Sequence, residues 1–221
     1  MAVIGILALQ GDFEAHARAL LRLGVRPRRP ADEIPRPPAP SSPAAPGAGD
    51  EYMFVRDAAE LAQADALILP GGESTTMLKF LEDGGFWTAL AEFVRHKPAF
   101  GTCAGAILLA REAGPPAQRS LGVLDVAARR NAYGRQRESS IRRGRLTGNG
   151  VCEIEMIFIR APQLGGLGPG VEVLAREGGH PVLVRQGKVL AATFHPELTD
   201  DLRVHELFLA IVHGASRPAS A

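Results

Sequence analysis

VIGILAL at residues 3–9, followed at once by Gln10-Gly11-Asp12, decides the fold. An unbroken apolar run closed by a glycine suits a strand covered on both faces, which is the situation inside a parallel sheet. A parallel strand needs a crossover, and the next residues supply one. Asp12 can cap a helix on which Phe13, Ala17, Leu20 and Leu21 share a face, and Gly24 stops it. Working outward, strands are predicted over 52–55, 66–69 and 98–100. Between them lie an amphipathic stretch to residue 64 and helices over 75–82 and 86–95, with a helix-forming run at 106–111 beyond. Strands alternating with helices specify an α/β class with a parallel sheet. The second half changes character, with strands over 121–127, 151–159, 171–175, 181–185 and 189–194 joined by Gly-rich turns, so some antiparallel pairing is expected there. A last helix is predicted from Thr199 as N-cap, with Asp200 and Asp201 favouring its dipole and Val204, Leu207, Phe208, Ile211 and Val212 on one face; Gly214 ends it. A single domain over 1–214 and a mobile tail at 215–221 are expected.

The 221 residues are 46% hydrophobic and 22% charged, enough to bury a core and unlike a disordered or fibrous chain. Lys plus Arg (25) against Asp plus Glu (24) leaves a formal +1, so no global field draws the chain to nucleic acid or to an anionic membrane. Residues 3–9 lack the basic flank and cleavage site of a signal peptide, and no run approaches a membrane span. Cys103 and Cys152 are too few for a disulfide framework, which suits the cytoplasm. Residues 27–49 hold eight of the 17 prolines and are read as a surface insertion without core strand or helix. Deleting them is expected to leave the chemistry intact.

That chemistry starts at Gly101-Thr102-Cys103-Ala104-Gly105, between a short strand and a helix-forming run, the pattern of a nucleophile elbow with cysteine in place of serine. The flanking glycines permit a sharp turn, and a helix N-terminus favours the reactive thiolate. A small buried cysteine in a tight turn is the plainer alternative. A thiolate needs a base and a group to orient it, and Phe194-His195-Pro196-Glu197 offers both. The proline keeps His195 extended, so that Glu197, two residues on, projects to the same side and can hold the ring. His16, His205 and His213 lie on helices and His96 near a helix end, where solvated or packed roles are expected; His180 has no carboxylate two residues on. The chain order Cys, His, Glu is not that of α/β-hydrolases. Pro70-Gly71-Gly72-Glu73-Ser74-Thr75-Thr76 follows a strand at the sheet's carboxyl edge, where open α/β folds bind ligands. Its backbone N–H groups, with that of Ala104, could form an oxyanion hole; a phosphate cradle is the rival, without the P-loop lysine. No cluster has metal-ligand spacing, so no metal and no cofactor are implied.

Taken together, PGGESTT (70–76), GTCAG (101–105), ARRNAYGRQ (128–136), FIRAP (158–162) and FHPEL (194–198), with ILALQG (6–11), resemble the glutaminase subunits of pyridoxal 5'-phosphate synthase, within the class I glutamine amidotransferases. The resemblance covers nearly the whole chain. It implies a flavodoxin-like three-layer fold that hydrolyses L-glutamine to glutamate and ammonia. Cys103 would be the nucleophile, His195 the general base and acid, and Glu197 its orienting partner. Gly72, Glu73, Ser74, Arg130, Ile159 and Arg160 would contact the substrate, with Gly72 and Ala104 at the oxyanion. The resemblance further implies a partner in trans that consumes the ammonia, a (β/α)8-barrel synthase subunit in a large hetero-oligomer, with the loop at Gln10-Gly11 at the interface. Two departures stand out: the insertion at 27–49, and Ser139-Ser140-Ile141-Arg142-Arg143 where relatives tend to carry a Phe-Glu-like pair.

Other readings are another class I glutaminase, such as that feeding imidazole glycerol phosphate synthase; a silent regulatory subunit; and a peptidase-like thiol enzyme on a related fold. The basic run Arg129, Arg130, Arg135, Arg137, Arg142, Arg143 and Arg145 lacks interleaved aromatics beyond Tyr133, so it is read as a loop with partner and substrate contacts rather than a nucleic-acid patch. Cys152 is read as a core residue.

Overall fold

Alternation along the first strand places its side chains on two opposed layers. Val3 and Leu7 join one buried cluster, whereas Ile4 and Ile6 join another on the opposite face. Both faces are therefore covered, as the continuous apolar run demands. The computed structural model describes residues 1–35, 46–130, 139–146 and 152–214. Among them the strands are β1 (Val3–Leu7), β2 (Arg26–Pro27), β3 (Glu51–Val55), β4 (Ala66–Leu69), β5 (Ala99–Thr102), β6 (Ala110–Gly114), β7 (Leu124–Arg129), β8 (Ser139–Leu146), β9 (Cys152–Ile159), β10 (Gln163–Gly165), β11 (Glu172–Glu177), β12 (His180–Gln186) and β13 (Val189–Ala192). The α-helices are α1 (Phe13–Arg22), α2 (Ala58–Leu61), α3 (Ser74–Leu81), α4 (Phe86–His96), α5 (Ala104–Leu109) and α6 (Arg203–Val212).

Ten strands form one sheet in the order β2-β3-β1-β4-β5-β13-β12-β11-β8-β9. Pairing is parallel from β2 to β13 and antiparallel from there to β9. One face packs against α3, α4 and α5, whose Met77, Leu81, Leu90 and Leu108 are fully buried, and against the small sheet β10-β7-β6. The other face takes α1 and α6 through Ala17, Leu20, Phe208 and Ile211. This three-layer α/β arrangement, with antiparallel strands in the C-terminal half, is the expected fold class. No helix of the described residues is long and apolar enough to cross a membrane.

Several local expectations are corrected. Asp12 precedes α1 but makes no side-chain cap bond; its φ of −84° and ψ of 47° depart from the extended geometry of a capping residue. The last helix begins at Arg203, not after Thr199. The Thr199 hydroxyl instead closes a local turn, donating to the Pro196 carbonyl (3.1 Å) and accepting from the Asp201 N–H (3.1 Å). The helical run expected over 106–111 stops at Leu109, because Ala110 turns extended (ψ 154°) to pair β6 with β7 and bury Ala110 and Ala113. The strand over 139–146 was not anticipated.

The Pro-rich segment also starts inside the fold. Arg26–Pro27 is the outermost strand of the sheet, a position where the missing proline N–H costs no ladder bond. A 3-10 turn at Pro30–Asp32 then buries Asp32 completely. Its carboxylate accepts from Arg29 Nε (2.8 Å) and Nη2 (2.9 Å) and from the Phe54 N–H (3.0 Å). The rest of that segment at 36–45, residues 131–138 with the 131–136 part of the ARRNAYGRQ motif, and the tail at 215–221 lie outside the described residues.

Candidate active site at the carboxyl edge of the sheet

Strands β1, β4, β5 and β13 are adjacent and parallel, so the segments that leave their carboxyl ends meet at one edge. These are Ala8 to Asp12, Pro70 to Glu73, Cys103 and Thr193 to Glu197. The four motif groups, far apart in the chain, converge because of strand order alone.

Cys103 joins β5 to α5. Its φ of 46° and ψ of −100° lie outside the ordinary regions for a residue with a Cβ, and its N–H donates to the Ala192 carbonyl of β13 (2.8 Å). The glycines on either side serve close approach rather than unusual dihedrals. A Cβ on Gly101 would lie 2.5 Å from the Gly105 carbonyl carbon, and one on Gly105 would lie 2.0 Å from the Leu69 carbonyl oxygen. Small residues let α5 press against the ends of β4 and β5, and the conformational cost of the elbow falls on the cysteine itself.

His195 follows β13, with its N–H donated to the Ile157 carbonyl of β9 (2.8 Å). Its Nδ1 is 2.8 Å from Glu197 Oε1. The pairing foreseen for these two residues is present, but not in extended chain: Pro196–Leu198 forms a 3-10 turn, and the turn brings the carboxylate back under the ring. Glu197 is 7% exposed and His195 4%, so both are cut off from solvent. Burial opposes charge on His195, but the Cys103 sulfur and the Glu197 carboxylate outweigh it and lift the imidazole to about 10. The buried Nε2 atom has no hydrogen-bond partner among the described residues and is the nitrogen left to face the cysteine. Burial also pushes the Glu197 carboxyl up, against the pull of His195.

A cleft of about 460 Å³ opens over this pair, a size that accommodates a free amino acid. It is lined by Gly72, Glu73, Ser74, Cys103, Arg130, Ile159, Arg160 and His195. Of the residues singled out from sequence, Ala104 and Glu197 alone do not line it: Ala104 opens α5 beneath the cysteine, and Glu197 stands behind His195. Glu73 caps α3, accepting from the Thr75 N–H (3.2 Å) and hydroxyl (2.9 Å), with Arg130 Nη2 3.6 Å away. Partial burial raises the Glu73 carboxyl, but the Thr75 bonds and the Arg130 and Arg160 charges prevail and hold it below the usual range. The Ser74 hydroxyl donates to Gln118 Oε1 (2.9 Å). Among the described residues, Cys103 and Arg160 are the non-glycine residues with positive φ, and both line the cleft.

Three residues to which sequence reasoning assigned other places contribute to the site. Gln10 lines the cleft and accepts the Glu73 N–H on Oε1 (2.8 Å), pinning the glycine loop. Gly71 packs so closely that a Cβ there would lie 2.3 Å from His195 Cε1. His16, set aside as a helical histidine, is fully buried with Nε2 3.6 Å from Glu197 Oε2. Its spacing with Phe13, Ala17 and Leu20 puts it on the apolar face of α1, which was a legible signal. Among the described residues no group of three or more metal-binding side chains is present.

Comparisons with known proteins agree with the motifs. The chain is 51% identical over 213 residues to pyridoxal 5'-phosphate synthase subunit PdxT of Koribacter versatilis, covering 96% of this chain and 97% of that one. It is 48% identical to the subunit of the same name from Thermus thermophilus, covering 95% and 97%. A crystal structure of a glutamine amidotransferase matches with a TM-score of 0.78 at 45% identity, covering 95% of this chain and 98% of that one. The glutaminase domain of Trypanosoma brucei CTPS matches at 13% identity with a TM-score of 0.57, covering 99% and 96%, a likeness of fold alone. The family model that matches spans residues 6–213, and the chain belongs to the SNO glutamine amidotransferase family.

Proposed function

We propose that this chain is the glutaminase subunit of a pyridoxal 5'-phosphate synthase, hydrolysing L-glutamine to L-glutamate and ammonia. One observation carries the reading. A cysteine at a strand-to-helix elbow shares an open cleft with a histidine whose other ring nitrogen is held by a buried glutamate. Family membership and the names of the relatives support the same chemistry and the same biosynthetic role.

In this mechanism the Cys103 thiol gives its proton to His195, and the sulfur attacks the side-chain carbonyl carbon of glutamine. The C–S bond forms as the carbonyl π electrons move to oxygen, and the oxyanion is taken by N–H groups of Gly72 and Ala104. His195 then protonates the amide nitrogen, the C–N bond breaks, and ammonia leaves behind a thioester. Water attacks the thioester while His195 takes its proton and returns it to sulfur, releasing glutamate. Glu197 keeps the ring in one tautomer and orientation throughout. Arg130 and Arg160 grip the substrate carboxylate, with Glu73, Ser74 and Ile159 completing the wall. The protein brings no metal or cofactor to these steps. The ammonia passes to the synthase subunit, a (β/α)8 barrel within a large hetero-oligomer, with the Gln10-Gly11 loop facing it. Nucleic acid and membrane play no part, and the complex works in the cytoplasm.

The test is glutamate release from L-glutamine by the purified protein, alone and with the synthase subunit, beside Cys103→Ala. Strong activation by the synthase that vanishes in the variant is expected. Activity indifferent to the synthase would move the ammonia to another acceptor, and a wild type no better than the variant would overturn the reading.

A further inference from the structure

The glutamate behind His195 is itself backed by a second layer of polar groups that the steps above do not use. Its Oε1 serves His195, and its Oε2 has no hydrogen-bond partner at strict distance although it is completely buried. The group nearest that oxygen is His16 of α1, with Nε2 at 3.6 Å. The same nitrogen is 3.2 Å from the Thr102 hydroxyl at the end of β5. His16 Nδ1 is 3.0 Å from Nε2 of His205, on α6. Both imidazoles are fully buried, and Phe100 packs edge-on against each.

Counting protons chooses between the arrangements. If His205 donates from Nε2 to His16 Nδ1, then His16 carries its proton on Nε2, aimed at Thr102 and Glu197. The remaining unsatisfied atom of the pair is a His205 Nδ1 lone pair. In the reverse arrangement a buried N–H on His205 is orphaned, and a His16 lone pair faces a carboxylate. The first arrangement is cheaper, since an orphaned donor loses its full hydration and like charge density is kept apart. Burial holds His16 well below its ordinary value and His205 at about 4, so both act as neutral N–H donors rather than cations.

We propose that His16, backed by His205 and Thr102, is a positioning residue for the glutaminase reaction, holding the second carboxylate oxygen of Glu197 so that the carboxylate keeps His195 aimed at Cys103. The inference rests on the glutaminase reading above. Its physical content is that a buried carboxylate needs donors on both oxygens to stay ionised and in one orientation. The titratable groups that face Glu197 are His195 on its own turn, His16 from α1 and, more remotely, Asp12 before α1, whose charge opposes ionisation. Those facing His16 are His205, Glu197 and His195.

The test compares His16→Leu with His16→Gln, whose amide N–H can reach the place of the imidazole Nε2–H. In His16→Leu, kcat for glutamine hydrolysis with the synthase subunit present is expected to fall on the order of 10-fold to 100-fold, the range of one hydrogen bond to a charged group, with KM unchanged. The acid limb of its pH profile should move to higher pH, because Glu197 loses a donor to its charged form. His16→Gln should restore most of kcat and return the acid limb. Equal losses in the two variants with an unmoved pH profile, or full turnover in His16→Leu, would overturn the proposal. A second readout is independent of turnover: the low-field proton resonance of the His195–Glu197 bond should shift in His16→Leu and return in His16→Gln. A wild type no more active than Cys103→Ala would sink the glutaminase reading, and this resonance would still decide the contact. A resonance unmoved by His16→Leu would sink the contact.

Discussion

Gly71→Ala adds one methyl group at the most crowded point of the site. Gly71 is not among the glycines with positive φ, so alanine meets no backbone penalty there and the whole effect is steric. The new Cβ would stand 2.3 Å from His195 Cε1 and 2.9 Å from its Nδ1, while 3.4 Å from Cys103 Cβ is an ordinary contact. The cysteine can therefore stay where it is, but the ring must retreat by about 1 Å to reach normal contact. Its escape is restricted, because the ring is tied at 2.8 Å to Glu197 and the backbone N–H at 2.8 Å to Ile157. A displacement of about 1 Å between reacting groups costs roughly 100-fold in rate. The same crowding should lower stability by only about 1–3 kcal/mol, the usual range for one excess methyl. The assay is glutamate formation at saturating glutamine with the synthase subunit present, beside thermal melts of both proteins. A folded Gly71→Ala variant with wild-type turnover would refute the placement of His195 against this loop, and with it the assignment of the base.

Three further outcomes follow from other contacts. An unfolded chain protonates His205 near 6.5, whereas the folded protein resists until about 4, so the wild type should lose stability as pH falls through that window. Urea midpoints from pH 7 to 4 should show His205→Leu escaping about 3 kcal/mol of that loss, and parallel curves would contradict it. Gly105→Ala would put a Cβ 2.0 Å from the Leu69 carbonyl oxygen, where backbone must move on both sides, so a loss of at least about 3 kcal/mol is expected and an unchanged urea midpoint would count against it. Asp32→Ala leaves the Phe54 N–H without its acceptor and takes from Arg29 its two-pronged carboxylate partner, with Glu60 remaining, which should cost about 3 kcal/mol in a denaturant titration while glutamine turnover at low temperature stays intact.

The parallel half of the sheet was legible because its strands are buried on both faces and announce themselves as apolar runs: residues 66–69 match β4 residue for residue, and β1 differs only in ending at Leu7. Strand β8 was illegible for the opposite reason. Ser139 to Leu146 is rich in arginine, with Ile141 70% exposed, and its order comes from pairing with β9 at every position from Ser139↔Ile159 to Leu146↔Cys152. Such pairing is a property of two segments and leaves no periodic trace in one. The start of α6 was misplaced because Thr199 followed by two aspartates imitates a cap, while the chain spends that threonine on the turn that presents Glu197. At the site, Cys103, His195 and Glu197 could be read from motif spacing. Gly71 and His16 could not be given their places in that way, since each matters through a neighbour remote in sequence: a ring 124 positions away for Gly71, and a carboxylate on another element for His16.

The backbone of Cys103 sets chemistry against durability. Position 103 has the dihedrals of a residue without a Cβ, and holding a cysteine there costs about 1–3 kcal/mol that glycine would not incur. The protein thus carries its sulfur at a standing thermodynamic disadvantage, tolerated for as long as released ammonia is worth more to the cell than a more stable fold. In a lineage freed from that demand, relief of this backbone strain would favour glycine at this position, erasing the proposed nucleophile while leaving the architecture around it almost untouched.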